Sequence, residues 1–259
     1  MPDFLGLGAQ KCGSTWLYYM LRKHPGLYVP PVKELHFWDQ NRAHGLDWYR
    51  AQFADAPEGA KTGEVTPAYA ILPPQAVAEV RREFPEARLV YLMRNPVERA
   101  WSGALMAVTK AEMTPDEASD RWFIDHFRSA GSTARGDYET CLRVWLSVFP
   151  TEQLRCFLYD DVLAEPRGVL METARHIGVD PGFFEALPPA ALAERHNDGL
   201  GTPIRPQLKA YLARVYRAKI VSLQDYLQRD LSPWLRDADD AIAAAPRRWI
   251  DRLRDRIAG

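Results

Sequence analysis

The sequence predicts an α/β fold, a single domain whose central parallel sheet is flanked by helices and whose first strand opens into a P-loop-like turn. Three observations carry that reading. Short apolar runs alternate with stretches of helical periodicity up to Pro181. The first run, Phe4 to Leu7, passes through a glycine-bearing turn into a helix. Finally, 47% of the 259 residues are hydrophobic, enough for one large core. Strands separated by helices need crossover connections, which make the sheet parallel and put helices on both of its faces.

Taken in order, Phe4–Gly8 (FLGLG) is the first strand, and Ser14–Lys23 carries apolar positions at helical spacing. Leu27–Val29 is a second short strand, Gln75–Glu83 a helix, and Arg88–Met93 (RLVYLM) a buried strand. Pro96 sits where a first helical turn begins, because a missing N–H costs nothing there, and that helix runs through Ala107. Thr109–Arg135 is polar and irregular, with a helix near Ala118–Phe127. Tyr138–Phe149 presents an aromatic and leucine face at helical spacing, Leu154–Tyr159 is a strand, and Glu165–Ile177 returns to helix. After Pro181 the character changes. Phe183–Pro206 is rich in Pro, Ala, Asn and Gly and reads as a long loop, either a functional lid or a tether. Helices over Gln207–Gln228 and over 246–258 follow. No break in composition demands a second domain, so one domain over 1–259 is expected, with its core over about residues 3–235.

The formal net charge of −1 gives no electrostatic case for coating a nucleic acid. No apolar stretch approaches the roughly 20 residues that span a bilayer. The segment MPDFLGLGA has neither the basic region nor the long apolar core of a signal peptide, and the three cysteines, Cys12, Cys141 and Cys156, are isolated. A reducing cytoplasm is the expected location, and no metal site is expected.

Gly8 to Thr15 reads GAQKCGST. Unpaired N–H groups at a helix start point one way, and the helix dipole adds partial positive charge, so this turn is a cradle for a phosphate-like anion. Gly8 and Gly13 have the spacing of a P-loop's two glycines, yet a P-loop lysine follows the second glycine, whereas Lys11 lies inside the loop. The pattern fits an anion-transfer enzyme other than an ordinary nucleoside triphosphatase. A second stretch, Arg94 to Ser102 (RNPVERAWS), starts at the carboxyl end of a buried strand, where open α/β sheets place ligands. Arg94 and Ser102 there either bind a second phosphate or, for Arg94, cap the sheet edge.

GAQKCGSTWL followed by RNPVERAWS resembles the paired motifs of sulfotransferases that use 3′-phosphoadenosine 5′-phosphosulfate (PAPS). The runs Lys33 to Asp39 (KELHFWD), Gly45 to Tyr49 (GLDWY) and Glu64 to Tyr69 (EVTPAY) are similar to those of heparan-sulfate-type sulfotransferases and their bacterial relatives. Gly136 to Tyr138, Trp145 to Pro150, Tyr159 to Asp161 and Asp230 to Trp234 extend the likeness to nearly the whole chain. The resemblance implies sulfuryl transfer from PAPS to an acceptor hydroxyl, or an amine, of a sugar, lipid or natural product, leaving 3′-phosphoadenosine 5′-phosphate (PAP). It implies that Lys11, Cys12, Gly13, Ser14 and Thr15 hold the 5′-phosphosulfate and that Arg94 and Ser102 hold the 3′-phosphate. Lys11 then balances charge on the departing phosphate, a task that needs no metal.

Glu34 matches the family's general base. Lys33 binds the sulfonate or steadies the site. His36, two residues on, faces the same side in an extended segment and is a base partner, the base itself, or a structural histidine. Asp39 is placed to position an acceptor hydroxyl. Trp16 either stacks near the adenine or belongs to the core. Two departures stand out. Val65 occupies the place of a lysine that touches the acceptor in the animal heparan-sulfate enzymes, and Asp198-Gly199-Leu200 replaces a Lys-Gly-Arg pattern, leaving Arg195 and Gly199 to serve the nucleotide loop. Two rivals are a P-loop small-molecule kinase and a catalytically inactive nucleotide-binding protein.

Overall fold

A computed structural model describes residues 2–192 and 201–245. Along the chain run β1 (Phe4–Gly8), α1 (Ser14–Lys23), β2 (Leu27–Tyr28), α2 (Gly45–Ala51), β3 (Lys61–Val65), α3 (Pro74–Glu83), β4 (Arg88–Met93) and α4 (Pro96–Lys110). There follow α5 (Asp120–Arg128), α6 (Ala130–Arg135), α7 (Tyr138–Leu146), β5 (Leu154–Leu158), α8 (Tyr159–Ala164) and α9 (Pro166–Ile177). The last are α10 (Gly182–Ala186), α11 (Pro189–Leu192), α12 (Pro206–Leu227) and α13 (Ser232–Ala243). The five strands form a parallel sheet in the order β2-β3-β1-β4-β5. β1 lies at its centre, pairing Phe4 with Gly63 on one side and with Arg88 on the other. Every residue of β1 is buried, as the near-continuous apolar run requires of a strand covered on both faces.

The described residues divide into two compact units: 2–94 with 140–192, and 95–139 with 201–245. The first holds the whole sheet. In the second, the buried Arg99 of α4 donates from Nη2 to the Ser132 carbonyl (3.0 Å) and Oγ (3.3 Å). Trp101 donates from its indole N–H to the Thr202 carbonyl at 2.7 Å. Arg205, just before α12, reaches Asp120 Oδ1 at 2.6 Å and the Ala118 carbonyl at 2.9 Å. Lys209 of α12 pairs with Asp237 of α13 at 2.5 Å.

Among the described residues the strands and helices expected from periodicity are present, and the differences have local causes. β3 is not expected from the sequence because KTGEV has no apolar alternation. Its glycine is required by close approach, since a Cβ on Gly63 would lie 2.4 Å from the Phe4 ring. α2, α6, α8 and α13 are also additional, α8 starting at Tyr159, the residue on which the expected strand ends; α2, α6 and α8 are seven, six and six residues long, too short to show a periodic face. The expected loop Phe183–Pro206 is in part helical. Gly182–Ala186 and Pro189–Leu192 form short helices behind Pro181 and Pro188, and α12 opens at Pro206 itself. The expected helix over 246–258 lies outside the described residues. Among the described residues no helix is long and apolar enough to cross a membrane.

Candidate active site

The turn after β1 is built by left-handed backbone. Lys11 (φ 69°) and Gly13 (φ 94°) both adopt it, the form that turns neighbouring N–H groups into an anion-binding concavity. Gly13 is the N-cap of α1, and a Cβ there would lie 3.0 Å from the Tyr159 ring, so only glycine meets both demands. The helical ladder begins with Leu17 N–H donating to the Gly13 carbonyl at 3.0 Å. The amides of Ser14, Thr15 and Trp16 therefore have no intrahelical acceptor, and no acidic side chain occupies the first turn. Gly13→Ala is expected to weaken PAP binding about tenfold or more, because both φ and Tyr159 oppose the methyl group; calorimetric titration of the folded variant checks this.

Burial pulls the Lys11 pKa down, and the neighbouring Arg94 and Lys33 cations add to that shift, against an opposing contribution from Cys12. Positive charge is thus gathered at the head of the phosphate loop from three segments. Arg94, at the end of β4, also lies over the Tyr159 ring, 5.0 Å from its centroid. Cys12 is buried, with its thiol 3.7 Å from the Gln10 carbonyl.

Lys33 leads into a chain of side chains. Its Nζ meets Glu34 Oε1 at 2.5 Å, Glu34 Oε2 lies 3.2 Å from His36 Nε2, and His36 Nδ1 lies 2.9 Å from Asp39 Oδ2. With Asp39 accepting the Nδ1 proton, Nε2 is the nitrogen left to exchange a proton with Glu34. The segment is not extended as the sequence suggested. Glu34 (φ 66°) and His36 (φ 51°) are both left-handed, and the His36 carbonyl accepts from the amides of Gln40 (2.9 Å) and Asn41 (2.8 Å). The expected pairing of Glu34 with His36 is found, through a curled loop in place of a strand-like one. Asp39 faces His36, which makes it an orienting group for the ring. Asp39→Asn should lower kcat about tenfold with little change in PAP affinity, since it disturbs only the ring's tautomer and orientation.

Residues 1–187 match the family described as the sulfotransferase domain. The chain belongs to that family. It is 29% identical over 186 residues to heparan sulfate glucosamine 3-O-sulfotransferase 3A1 of Mus musculus, a match covering 69% of this chain and 46% of that protein. It is 22% identical over 317 residues to the membrane-associated sulfotransferase kil1 of Dictyostelium discoideum, covering 89% of this chain and 66% of that one. The chain spans about half the length of the 3-O-sulfotransferases it matches. A sulfotransferase from Alicyclobacillus acidocaldarius has a similar structure, with a TM-score of 0.72 at 24% identity over 90% of this chain and 98% of its own. Mouse sulfotransferase SULT7A1, complexed with PAP, is similar at a TM-score of 0.56 and 14% identity, over 94% of this chain and 89% of its own.

Within this sulfotransferase domain the structure brings together Lys11, Lys33, Glu34, His36 and Asp39, with Arg94 in electrostatic reach of Lys11. Ser102 is carried by α4 in the second unit and is partly exposed. Arg195 and Gly199 lie outside the described residues. Trp16, the adenine-stacking candidate, donates its indole N–H to the Leu192 carbonyl at 3.0 Å. Val65 is buried against the position of Gly6, where a Cβ would lie 2.9 Å from its methyl groups, so this position packs the sheet. Sequence reasoning assigns no role to Glu64, Tyr49 or Tyr69. Their presence inside the EVTPAY and GLDWY runs is the available signal.

Proposed function

We propose that the protein transfers a sulfuryl group from PAPS to an acceptor hydroxyl, or to an amine, of a carbohydrate, lipid or natural product. The observation that carries this reading is a basic phosphate loop, with Lys11 under pressure from Arg94 and Lys33, beside the chain Glu34–His36–Asp39. An anion bound at that loop relieves the mutual repulsion of the three cations, so the residues present suit a phosphosulfate. PAPS supplies the sulfuryl group, held to its 5′-phosphate by the bond that breaks as the acceptor-oxygen to sulfur bond forms. The amides of Ser14, Thr15 and Trp16 bind the phosphate, and Lys11 balances the charge left on its oxygen. Glu34 takes the acceptor's proton and His36, oriented by Asp39, shares it. Lys33 holds Glu34 in place. Arg94 and Ser102, with Arg195 and Gly199, serve the 3′-phosphate in this reading, and Trp16 the adenine.

Relatives named for heparan sulfate support a carbohydrate acceptor, and the buried Val65 in place of a lysine supports one less anionic than heparan sulfate. Three cysteines outside any disulfide support a reducing, cytoplasmic location. A phosphate-transferring kinase and an inactive nucleotide-binding protein are not favoured. The test is incubation with ³⁵S-labelled PAPS and panels of sugars, lipids and small natural products, with and without EDTA. We expect a labelled acceptor and the same rate in EDTA, because Lys11 and the loop amides supply the positive charge. Loss of labelling in EDTA with ATP-dependent phosphorylation restored by Mg²⁺ would sink the reading in favour of the kinase.

A further inference from the structure

We propose that Glu64 is a positioning residue for this transfer, its buried carboxylate holding the Glu34–Trp38 loop in the left-handed form that aligns Glu34, His36 and Asp39. The inference deepens the proposed function and rests on it for its kinetic part alone.

Glu64 sits near the end of β3 and is 2% exposed. Its Oε1 accepts from Tyr49 Oη at 2.6 Å and from Tyr69 Oη at 2.9 Å, and its Oε2 accepts from Thr66 Oγ1 at 2.5 Å. The backbone amide of Leu35, between Glu34 and His36, also favours its charged form. Every one of these partners is a donor. A carboxyl hydrogen would compete with them, so the anion is the form that satisfies the group. Burial raises the Glu64 pKa on balance, and the four donors offset part of that rise. Burial and the Glu64 charge push the Tyr49 and Tyr69 phenols far up, which keeps both as donors.

Tyr69 carries the connection one residue further, since its Oη accepts from the Phe37 amide at 2.9 Å. The loop is therefore tied to Glu64 through Tyr69 at the Phe37 amide, and the Leu35 amide adds a favourable interaction with the carboxylate. Those amides flank His36, and Leu35 follows Glu34, the two residues held at positive φ. Left-handed backbone is unfavourable for a non-glycine residue and persists only where the surroundings over-determine it. The hub is itself fixed, because the Trp145 indole N–H donates to the Tyr69 carbonyl at 3.1 Å and the Tyr49 ring stacks on Phe37 with centroids 4.5 Å apart. Through Tyr69 the buried carboxylate reaches the loop that bears the reacting groups.

The test compares Glu64→Gln and Tyr69→Phe with Val80→Ala, a buried apolar substitution on α3 that lowers stability and removes none of the Glu64 hydrogen bonds. In Glu64→Gln an amide NH2 faces donors. We expect kcat to fall about tenfold or more in both network variants, with PAP affinity within twofold of the parent. Val80→Ala should lower Tm and leave kcat within twofold. Independently of any acceptor, the ¹⁵N resonances of the His36 ring should move in Glu64→Gln and in Tyr69→Phe and stay in place in Val80→Ala. Unmoved His36 resonances in a folded network variant would overturn the inference, as would kcat losses no larger than those of Val80→Ala. Should Glu64→Gln fail to fold, Tyr69→Phe decides by the same two readouts. A parent protein with no PAPS-dependent turnover would count against the proposed function alone, because the His36 resonances still judge the positioning.

Discussion

Glu34→Gln abolishes turnover, lowering kcat by about a hundredfold to ten-thousandfold, and leaves PAP binding unchanged; this is the expected result of the most decisive substitution. The amide keeps the volume and one carbonyl oxygen but has no basicity with which to take an acceptor proton. It also breaks the chain at its centre. Lys33 loses its anionic partner at 2.5 Å, and His36 Nε2 faces a neutral amide in place of a carboxylate at 3.2 Å. In the proposed reading the anion contacts come from Lys11 and the first turn of α1, which the substitution leaves in place. Steady-state kinetics with a labelled acceptor, read beside calorimetric PAP binding, separates the two effects. Unchanged turnover would remove Glu34 as the base, and lost PAP affinity would move it into the nucleotide site.

Lys11→Ala is expected to lower kcat by about a hundredfold to a thousandfold, the range seen when one preorganised stabiliser of developing charge is deleted. PAP affinity should fall as well, since the proposed reading sets the same cation against the phosphate. The pH dependence follows from the depressed pKa. Burial and the Arg94 and Lys33 charges make Lys11 release its proton at lower pH than an ordinary lysine. A bound phosphate favours the charged form, so binding must restore that proton once it is lost. PAP affinity should therefore decline as pH rises through the depressed Lys11 pKa, and the decline should vanish in Lys11→Ala. Calorimetry at several alkaline pH values checks this. A parent whose affinity stays flat to the ordinary lysine range would contradict it. Lys11→Arg keeps the charge but not the compact ammonium, and should restore affinity more than rate.

Much of the scaffold is legible in the chain. The order of β1, α1, β4, α4, β5 and α9 can be read because each has a strong apolar period or a proline or glycine at its boundary. The phosphate loop can be read because its glycines, hydroxyls and lysine occur within eight consecutive residues. Other features leave little trace. β3 carries a glycine and a buried glutamate where a strand usually carries apolar residues, since both answer to neighbours distant in sequence. Asp39 looks like an acceptor-positioning group in the sequence because nothing in KELHFWD shows that the loop curls and turns it onto His36.

Local pattern is enough to establish a parallel α/β chain, an anion cradle with a lysine inside the loop, and motifs that resemble those of sulfotransferases. Periodicity and spacing suffice for these because they record which face of an element is buried and which residues share a turn. The conformation of Glu34 and His36, the partner of Asp39 and the place of Glu64 come from tertiary structure. They depend on hydrogen bonds between the turn after β3 and a loop some thirty residues earlier, such as the Phe37 amide to Tyr69 Oη across 32 positions. A segment with no period of its own takes its shape from whatever donors and acceptors the fold sets against it.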